Sequence, residues 1–320
     1  MIKPPSESSV YSMRKQTGIA VISAMLVAAL VTAVAAQLLW QQQLLISELE
    51  NQQNSTQAAW ISDAAVNWSR AILAEDANVG RTDHLREVWA TRLPATPIEG
   101  GESSGYISGY ITDQQQFFNL NNVVIENRLS EPNLKTLQRL LELLNIKPSQ
   151  ADALVDWMDL DSTAVSTDGA EDNYYLGLNP PYRSANQPLS ETGNLIRIKG
   201  FDAASVNKLS RFVTVLPAPT SINVNTASAE VLQFALPNAT LQDTQAIVAT
   251  RNMAFFTDLA DFNQRIPNKD ISVNQANLSV NSHYFLVTCF AQFGRSQLKT
   301  EALLFRDDFG WPTVLWKKRI

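Results

Sequence analysis

The amino-acid sequence predicts an α+β fold in which a helical block is inserted into an antiparallel β-sheet. Three observations predict it. No Pro or Gly occurs between Ile19 and Val79, so this part is expected to form one continuous helix. The chain after it shows helical periodicity in its middle, between segments that have the composition of strands. The predicted strands lie at 106–113, 284–293, 298–307 and 312–320, and the last three form a meander.

The first part of the long helix is predicted to cross a membrane. Residues 19–36 carry no charge, and a helix of this length spans about 27 Å, close to the thickness of a bilayer core. Three basic residues and one acidic residue precede it, so the positive-inside rule places the N-terminus in the cytoplasm. The alternative is a signal peptide cleaved near 33–36. A membrane anchor is favoured because the apolar pattern continues as an amphipathic helix, which divides into a transmembrane half (19–40) and a periplasmic half (41–80).

The remaining elements follow from local patterns. Residues 94–105 are rich in Pro, Gly and Ser and predict a loop. Residues 117–122 are expected to be extended, and 123–160 to be helical, with Leu134, Leu137 and Leu141 on a core-facing stripe. Further helices are predicted at 203–213, 227–236, 241–252 and 259–265.

Composition excludes several common kinds of site. One cysteine, Cys289, and two histidines, His84 and His283, leave little material for thiolate zinc sites or His-dependent catalysis. Cys289 is expected to be a buried core thiol. The chain has 25 basic and 31 acidic residues, a net charge of −6, which argues against nucleic acid as the main partner. The G-x-S-x-G pattern around Ser103 lacks the flanking strand and helix that a serine hydrolase needs, so an anchored hydrolase is disfavoured.

An acidic loop is the best candidate for a ligand site. Six carboxylates lie within a short stretch: Asp156, Asp159, Asp161, Asp168, Glu171 and Asp172. Such carboxylates repel one another unless they are solvated or bridged by a cation. Oxygen ligands without nearby His or Cys indicate Ca²⁺, although the spacing is not that of an EF-hand. From the residues alone, a solvated acidic loop is favoured over a cation site.

Residues 223–252 resemble a helix-hairpin-helix unit. In DNA-binding versions a glycine-rich hairpin offers backbone N–H groups to phosphate. Here the hairpin at 237–240 has no glycine, and Arg251 is the only basic residue between 227 and 252. We therefore interpret the unit as a protein-packing module. A membrane-anchored periplasmic DNA-binding protein of the helix-hairpin-helix type remains the alternative hypothesis.

The N-terminal junction resembles the leader of type IV pilins and pseudopilins. Arg14-Lys15-Gln16-Thr17-Gly18 is followed directly by the apolar segment that begins at Ile19. The resemblance implies that a prepilin peptidase cleaves after Gly18, so that 1–18 is a leader and Ile19 starts the mature chain. Most members of that family have Glu at the fifth mature position, where this chain has Ser23. A subunit without this Glu tolerates having no partner above it, which suggests the tip of a filament.

Further motifs extend the resemblance over nearly the whole chain. In order they are Phe118-Asn119-Leu120-Asn121, Asp156-Trp157-Met158-Asp159-Leu160-Asp161, Gly169-Ala170-Glu171-Asp172-Asn173-Tyr174-Tyr175, Pro180-Pro181-Tyr182-Arg183 and Asn223-Val224-Asn225-Thr226-Ala227. Together they resemble the minor pseudopilin K family of type II secretion systems. The resemblance implies a type IV pilin-like long N-terminal helix packed on an antiparallel β-sheet, with a large inserted α-helical domain of the helix-hairpin-helix (SAM-like) kind. The expected divisions of the chain after the long helix are 81–128 for the first part of the pilin-like domain, 129–280 for the insert and 281–320 for the C-terminal strands.

The same resemblance implies a function and a cofactor. The expected role is a non-enzymatic one in protein secretion, at the tip of a periplasmic pseudopilus that starts in the inner membrane. The expected partners are the prepilin peptidase and the minor pseudopilins of the I, J and H types, with no nucleic acid. Members of this family hold calcium in the helical domain, so the resemblance favours a Ca²⁺ site over a solvated loop. The predicted ligands are Asp159, Asp161, Asp168, Glu171 and Asp172.

Overall fold

The structure, a computed structural model, describes residues 17–100, 103–271, 273, 277–307 and 310–320. Residues 1–16 of the predicted leader, and positions 101 and 102 of the G-x-S-x-G pattern, lie outside the described residues. The described chain contains eight α-helices and eleven strands. The helices are α1 (Thr17–Val79), α2 (Glu131–Leu143), α3 (Gln150–Met158), α4 (Asp172–Tyr175), α5 (Ala203–Leu209), α6 (Ala229–Ala235), α7 (Leu241–Met253) and α8 (Leu259–Arg265). The strands are β1 (Leu93–Gly100), β2 (Ser103–Asp113), β3 (Phe118–Asn119), β4 (Val124–Ile125), β5 (Arg128–Leu129), β6 (Val213–Thr214), β7 (Ile222–Asn223), β8 (Leu278–Ser279), β9 (Tyr284–Phe293), β10 (Ser296–Phe305) and β11 (Thr313–Arg319).

Helix α1 is a single helix of 63 residues with two different surroundings. Its N-terminal part contains an 18-residue window with a mean hydropathy of 2.6, none of it buried, so the helix is long and apolar enough to cross a membrane. Its C-terminal part packs on the sheet through Ala58, Val66 and Leu73, which are all buried. The absence of Pro and Gly after Gly18 explains why the two parts form one helix.

Five antiparallel strands form the sheet beneath α1, in the order β1-β2-β9-β10-β11. Cys289 on the central strand pairs with Gly109 of β2 and with Thr300 of β10. Its thiol is 2 % exposed and lies 3.8 Å from Ser62 Oγ of α1. Burial raises the pKa of this thiol, and the prediction of a buried core thiol is confirmed. The three C-terminal strands form the predicted meander.

The insert is the part of the chain between β2 and β9, residues 114–283. Its helices share one core with Phe118, Leu120 and Val123, which are all buried. These apolar side chains pack on the helical core and not on the five-stranded sheet, so the insert begins directly after Asp113. The predicted boundary between 128 and 129 therefore lies too far along the chain.

Two local predictions are wrong. Residues 94–105 were expected to form a loop, but β1 pairs with β2 as a hairpin, with Pro97 opposite Tyr106. An edge strand tolerates proline because one side of it needs no hydrogen-bond donors. The start of the predicted helix at 123–160 is instead the short hairpin β4–β5. Glu126 and Asn127 have φ angles of 51° and 60°, which a helix does not allow and a two-residue turn requires.

A buried polar network joins the two ends of the insert. Asp113, the last residue of β2, accepts hydrogen bonds from Thr226 Oγ1 (2.5 Å) and from Ser282 Oγ (2.7 Å). The backbone N–H of Ser282 donates to Asp83 Oδ2 at 2.7 Å, in the connection after α1. The points where the chain leaves the sheet and returns to it are therefore bound to each other and to the C-terminal end of α1.

Glu87, near this network, is expected to make stability depend on pH. Its Oε2 accepts hydrogen bonds from Trp89 Nε1 (2.6 Å) and from the N–H of His84 (2.9 Å). Burial, followed by the charge of Asp76, raises its pKa from 4.5 to about 7. The folded state therefore keeps a proton that the unfolded chain loses above pH 4.5, so stability falls as the pH rises from about 4.5 to about 7.

We expect the free energy of unfolding of Glu87→Gln to depend less on pH over this range than that of the wild type. At pH 8 it should exceed the wild-type value by about 1–3 kcal/mol. Denaturant unfolding of the full-length chain in detergent at pH 5 and pH 8 measures this. Glu142→Gln, on the exposed face of α2, is the matched control and should behave as the wild type. Equal pH dependence in Glu87→Gln and in the wild type would contradict the assignment.

Candidate metal centre in the acidic loop

The acidic loop is wrapped around one buried carboxylate at the end of α3. Asp156 is fully buried, and its two oxygens accept hydrogen bonds from the backbone N–H groups of Val165 (2.9 Å) and Ala170 (2.7 Å). Gly169 is required next to it, because a Cβ at that position would lie 2.1 Å from Asp156 Oδ2. Asp156 therefore acts as the structural centre of the loop and brings its two ends together.

Three of the predicted ligands converge as a result. One carboxylate oxygen from each of Asp159, Asp161 and Glu171 lies within 4.8 Å of the other two. Asp159 directly follows α3, and Glu171 directly precedes α4, so both are held by the ends of helices. Asp159 and Glu171 are 8 % and 9 % exposed, whereas Asp161 is exposed. The group has one open side towards solvent.

The buried oxygens of this group lack partners. Asp159 Oδ1 and Glu171 Oε1 are inaccessible and accept no hydrogen bond from the described residues. Burial, followed by the charge of Asp161, raises the pKa of Asp159 to about 6. Burial, followed by the charges of Asp156 and Asp159, raises the pKa of Glu171 to about 7. Unpartnered buried carboxylates of like charge are costly, and a bound cation removes that cost.

The donor set fits a hard divalent cation. All three groups offer carboxylate oxygen, with no imidazole or thiolate in the group. Ca²⁺ takes six to eight oxygen ligands in flexible geometry, so backbone carbonyls and water would complete the shell. Asn186, which the sequence did not suggest, is bound to the last turn of α3, the helix that Asp159 follows. Its N–H donates to the carbonyl of Trp157 at 3.0 Å, and its Oδ1 is buried without a partner among the described residues.

Asp168 and Asp172 lie outside the converging group. Asp168 Oδ1 accepts a hydrogen bond from Lys147 Nζ at 2.8 Å, and this contact lowers the pKa of Asp168. Asp172 Oδ1 accepts from the N–H and the hydroxyl of Ser184, both at 3.0 Å, and Arg183 lies 3.4 Å from Oδ2. Each carboxylate already has its own partners, so the structure brings together three of the five predicted ligands.

A second acidic group, near the C-terminal end of α1, is already neutralised. Asp76, Asp83 and Glu87 also bring oxygens within 4.8 Å of one another. Arg306 lies among them, with Nη1 2.8 Å from Asp76 Oδ2 and Nη2 bonded to Asp83. The guanidinium supplies the positive charge that a metal would supply, so this group is a structural ion-pair cluster.

The helix-hairpin-helix unit is present as α6, a short turn and α7. Arg251, its one basic residue, is only 6 % exposed. Its Nη1 donates to the carbonyls of Val224 (2.8 Å) and Ala227 (2.6 Å). These hydrogen bonds connect α7 to the segment before α6. The guanidinium therefore lies inside the domain and not on the turn, where a phosphate would bind.

The residues of the G-x-S-x-G hypothesis are far apart. Ser103 begins β2 next to the end of β9 that carries Phe293, whereas His283 precedes the opposite end of the same strand. Ten residues of strand separate these ends, about 30 Å. His283 cannot act as a base for Ser103. The described part of the pattern, from Ser103 on, begins strand β2, whereas a nucleophile elbow requires a helix after the serine.

The predicted processing and assembly residues lie on the exposed part of α1. Gly18, Ile19 and Ser23 are all exposed. Ser23 Oγ donates to the carbonyl of Ala20 at 3.0 Å, so the hydroxyl is satisfied within the helix. A glutamate here would have no such internal partner. The position is therefore compatible with an apolar environment without a neighbouring chain.

Comparison with known proteins agrees with this architecture. Two family models described as "Type II secretion system (T2SS), protein K" match residues 116–218 and 222–281. A type II secretion system protein K of Pseudomonas aeruginosa is 32 % identical over 291 residues, covering 88 % of this chain and 86 % of that protein. The protein K of Aeromonas hydrophila is 27 % identical over 316 residues, covering 92 % and 94 %.

A solved structure shares the fold. It is that of the GspK-GspI-GspJ complex from enterotoxigenic Escherichia coli, with a TM-score of 0.69 and 22 % identity, covering 85 % of this chain and 99 % of that one. The long N-terminal helix, the antiparallel sheet and the added helical region confirm the predicted α+β class. The sequence relationship, carried by the family models and the Pseudomonas relative, confirms the predicted family: this chain belongs to the type II secretion system protein K family.

Proposed function

We propose that this chain, a minor pseudopilin of a type II secretion system, caps the tip of the periplasmic pseudopilus and helps to initiate its assembly for protein secretion across the outer membrane. The observation that carries the proposal is the position of the insert. It leaves and re-enters the sheet beside Asp83 and Asp76, at the end of α1 opposite to its apolar half. A domain of this size at that end would obstruct the addition of another subunit above it.

The N-terminal half of α1 supports the same role. We infer that it anchors the chain as a single span in the inner membrane, with the remaining domain in the periplasm, because its apolar face is fully exposed. The prepilin peptidase would cleave between Gly18 and Ile19. Ser23 at the fifth mature position would leave this subunit able to lie first in the filament, since it has no carboxylate that requires a partner in lipid.

The proposed partners follow from the family. The similar fold of known structure occurs in a complex with GspI and GspJ. We infer that this chain binds the corresponding I- and J-type minor pseudopilins, with the H type below them. The alternative of a periplasmic DNA-binding protein has no support, because Arg251 is buried and the chain carries a net charge of −6.

We also infer that the chain holds a structural Ca²⁺ and is not an enzyme. Asp159, Asp161 and Glu171 would ligate the ion, and the unpartnered buried oxygens of Asp159 and Glu171 support this. The ion would hold the loop between α3 and α4 by joining its two ends. The separation of Ser103 and His283 leaves the hydrolase hypothesis without a catalytic pair.

Immunogold labelling of sheared pseudopili tests the tip position. We expect antibody against the insert to label one end of each filament and not its length. The same cells provide the mature protein for N-terminal sequencing, which is expected to start at Ile19. Labelling along the filament would contradict the tip role. A start near 33–36 would indicate a cleaved signal peptide and would remove the anchor.

A further inference from the structure

A polar cleft lies where the connection after α1 meets the C-terminal end of α7. It has a volume of about 390 Å³ and is lined by His84, Arg86, Asn225, Arg251, Asn252 and Phe255. Its two charged lining residues, Arg86 and Arg251, are both cationic, in a chain in which acidic residues outnumber basic ones. The cleft is distinct from the acidic loop between α3 and α4.

Arg251, in the wall of this cleft, is a buried charge without an anion. Both hydrogen bonds that its side chain makes to described residues come from Nη1 and go to neutral carbonyls. Nε is inaccessible and has no acceptor among the described residues. Burial alone lowers its pKa to about 10, with no contribution from a carboxylate. Arg306, the other deeply buried arginine, contacts two carboxylates.

Arg86 adds a second guanidinium at the mouth of the cleft. It is exposed, makes no ion pair with the described residues and donates from Nη1 to the carbonyl of Met253 at 3.4 Å. In the wall beside it, the His84 ring packs against Phe255, with 3.9 Å between the ring centroids. Glu87 lies behind His84, but its carboxylate is bound to Trp89 and to the backbone of His84.

The rim of the cleft is apolar. Leu85, which lines the cleft, is 51 % exposed, and Met253, whose carbonyl binds Arg86, is 82 % exposed. Apolar side chains around a desolvated arginine are the arrangement found at the centres of protein–protein interfaces. A free anion would make no contact with these apolar side chains. A protein that presents a carboxylate to the arginines would also cover the apolar rim. The complementary ligand is therefore an acidic side chain flanked by apolar ones.

We propose that this cleft is a docking site for a partner protein, which inserts an acidic side chain against Arg86 and Arg251 while its apolar neighbours cover Leu85 and Met253. A guanidinium binds a carboxylate through two parallel hydrogen bonds, which gives both affinity and orientation. The proposal does not depend on the tip position or on calcium.

Nuclear magnetic resonance of the full-length chain in detergent, with isotope-labelled arginine, tests this. The Arg251 Nε–H signal is assigned by its loss in Arg251→Lys. We expect it to shift on titration with acetate, and to shift at about tenfold lower concentration with a blocked Leu-Glu-Leu tripeptide, because the leucines cover the rim. The matching Leu-Gln-Leu tripeptide should leave the signal unchanged.

Arg86→Gln is expected to weaken binding of the Leu-Glu-Leu tripeptide about five- to tenfold, while Arg211→Gln, at an exposed position of the insert, should leave it unchanged. Because Arg86 is on the surface, this variant tests the site even if Arg251→Lys does not fold. The proposal is overturned if neither acetate nor the acidic tripeptide shifts the signal, or if the glutamine tripeptide binds equally. It is also overturned if inorganic phosphate or duplex DNA binds more tightly than the acidic tripeptide.

Discussion

Removal of calcium with a chelator is expected to lower the melting temperature of the full-length chain in detergent by about 5–10 °C. An ion at a hundred times its dissociation constant stabilises the folded state by about 2.7 kcal/mol, and each kcal/mol corresponds to about 2–4 °C for a domain of this size. Added Ca²⁺ should restore the melting temperature. Mg²⁺ at the same concentration should not, because it demands a smaller and more regular oxygen shell.

Single substitutions locate the site. Asp161→Asn is expected to abolish the response to calcium, because it removes one of the three converging carboxylates. It should also raise the melting temperature of the metal-free chain slightly, because one like charge is removed beside Asp159 and Glu171. A gain in the metal-free state, together with a lost response, distinguishes a lost ligand from a folding defect.

Asp168→Asn is the matched control for this experiment. Asp168 belongs to the same loop and was among the predicted ligands, but it lies in an ion pair with Lys147. Its substitution should leave the calcium response intact and change the melting temperature of the chain little, as for other exposed ion pairs. A wild-type melting temperature that does not change on chelation would contradict the metal assignment. A response lost in Asp168→Asn and kept in Asp161→Asn would move the site to the other carboxylates of the loop.

The elements that the sequence predicted correctly are those with strong local patterns. The strand predicted at 284–293 and the helix predicted at 259–265 have the bounds found in the structure. The long helix follows from the absence of helix breakers over its length. In each of these cases, the spacing of apolar residues along the segment already matches the secondary structure that packs in the fold.

The missed elements depend on contacts that a local pattern does not contain. Strand β1 contains Pro and Gly and exists because its partner β2 lies beside it. The β4–β5 hairpin depends on two residues, Glu126 and Asn127, that adopt a left-handed conformation, which their side chains do not require. The start of the insert was placed too late for the same reason, because Phe118 joins a core built from helices much further along the chain.

In the candidate site, too, the type of side chain can be read from the sequence, whereas the positions of the side chains depend on the fold. The oxygen-only chemistry of the acidic stretch indicated which kind of ligand it could hold, a hard cation, but the residues alone favoured a solvated loop and only the family resemblance favoured the ion. The choice among six carboxylates required the path of the loop, which Asp156 sets by binding the backbone at Val165 and Ala170. Lys147 and Ser184, which bind Asp168 and Asp172, lie outside the acidic stretch, so no local pattern indicates that these residues pair.

Loss of Arg306 is expected to destabilise the chain more than any exposed charge substitution. Its side chain is deeply buried, and its guanidinium contacts Asp76 of α1, Asp83 and the carbonyl of Ser282, close to the end of the insert. The guanidinium also lies 4.7 Å from the centre of the Phe285 ring. One side chain therefore contacts α1, the sheet and the C-terminal end of the insert.

Arg306→Ala would leave the buried carboxylate of Asp83 and the half-buried carboxylate of Asp76 without a cation. We expect a loss of about 3–5 kcal/mol, because removing one partner of a buried ion pair exposes the full desolvation cost of the other. This corresponds to a fall in melting temperature of about 6–20 °C, measured on the full-length chain in detergent. Arg306→Lys keeps the charge but cannot contact both carboxylates in the same way, so an intermediate loss is expected.

Arg319→Ala provides the matched control. Arg319 also pairs with a carboxylate of α1, Asp63 at 3.1 Å, but both side chains are exposed, so a loss below about 1 kcal/mol is expected. Neutralising the acids should rescue the buried variant: Asp76→Asn combined with Arg306→Ala should be more stable than Arg306→Ala alone, since one unpaired charge is gone. Equal losses in Arg306→Ala and Arg319→Ala, or no rescue by Asp76→Asn, would show that the junction is held by packing and not by this ion-pair cluster.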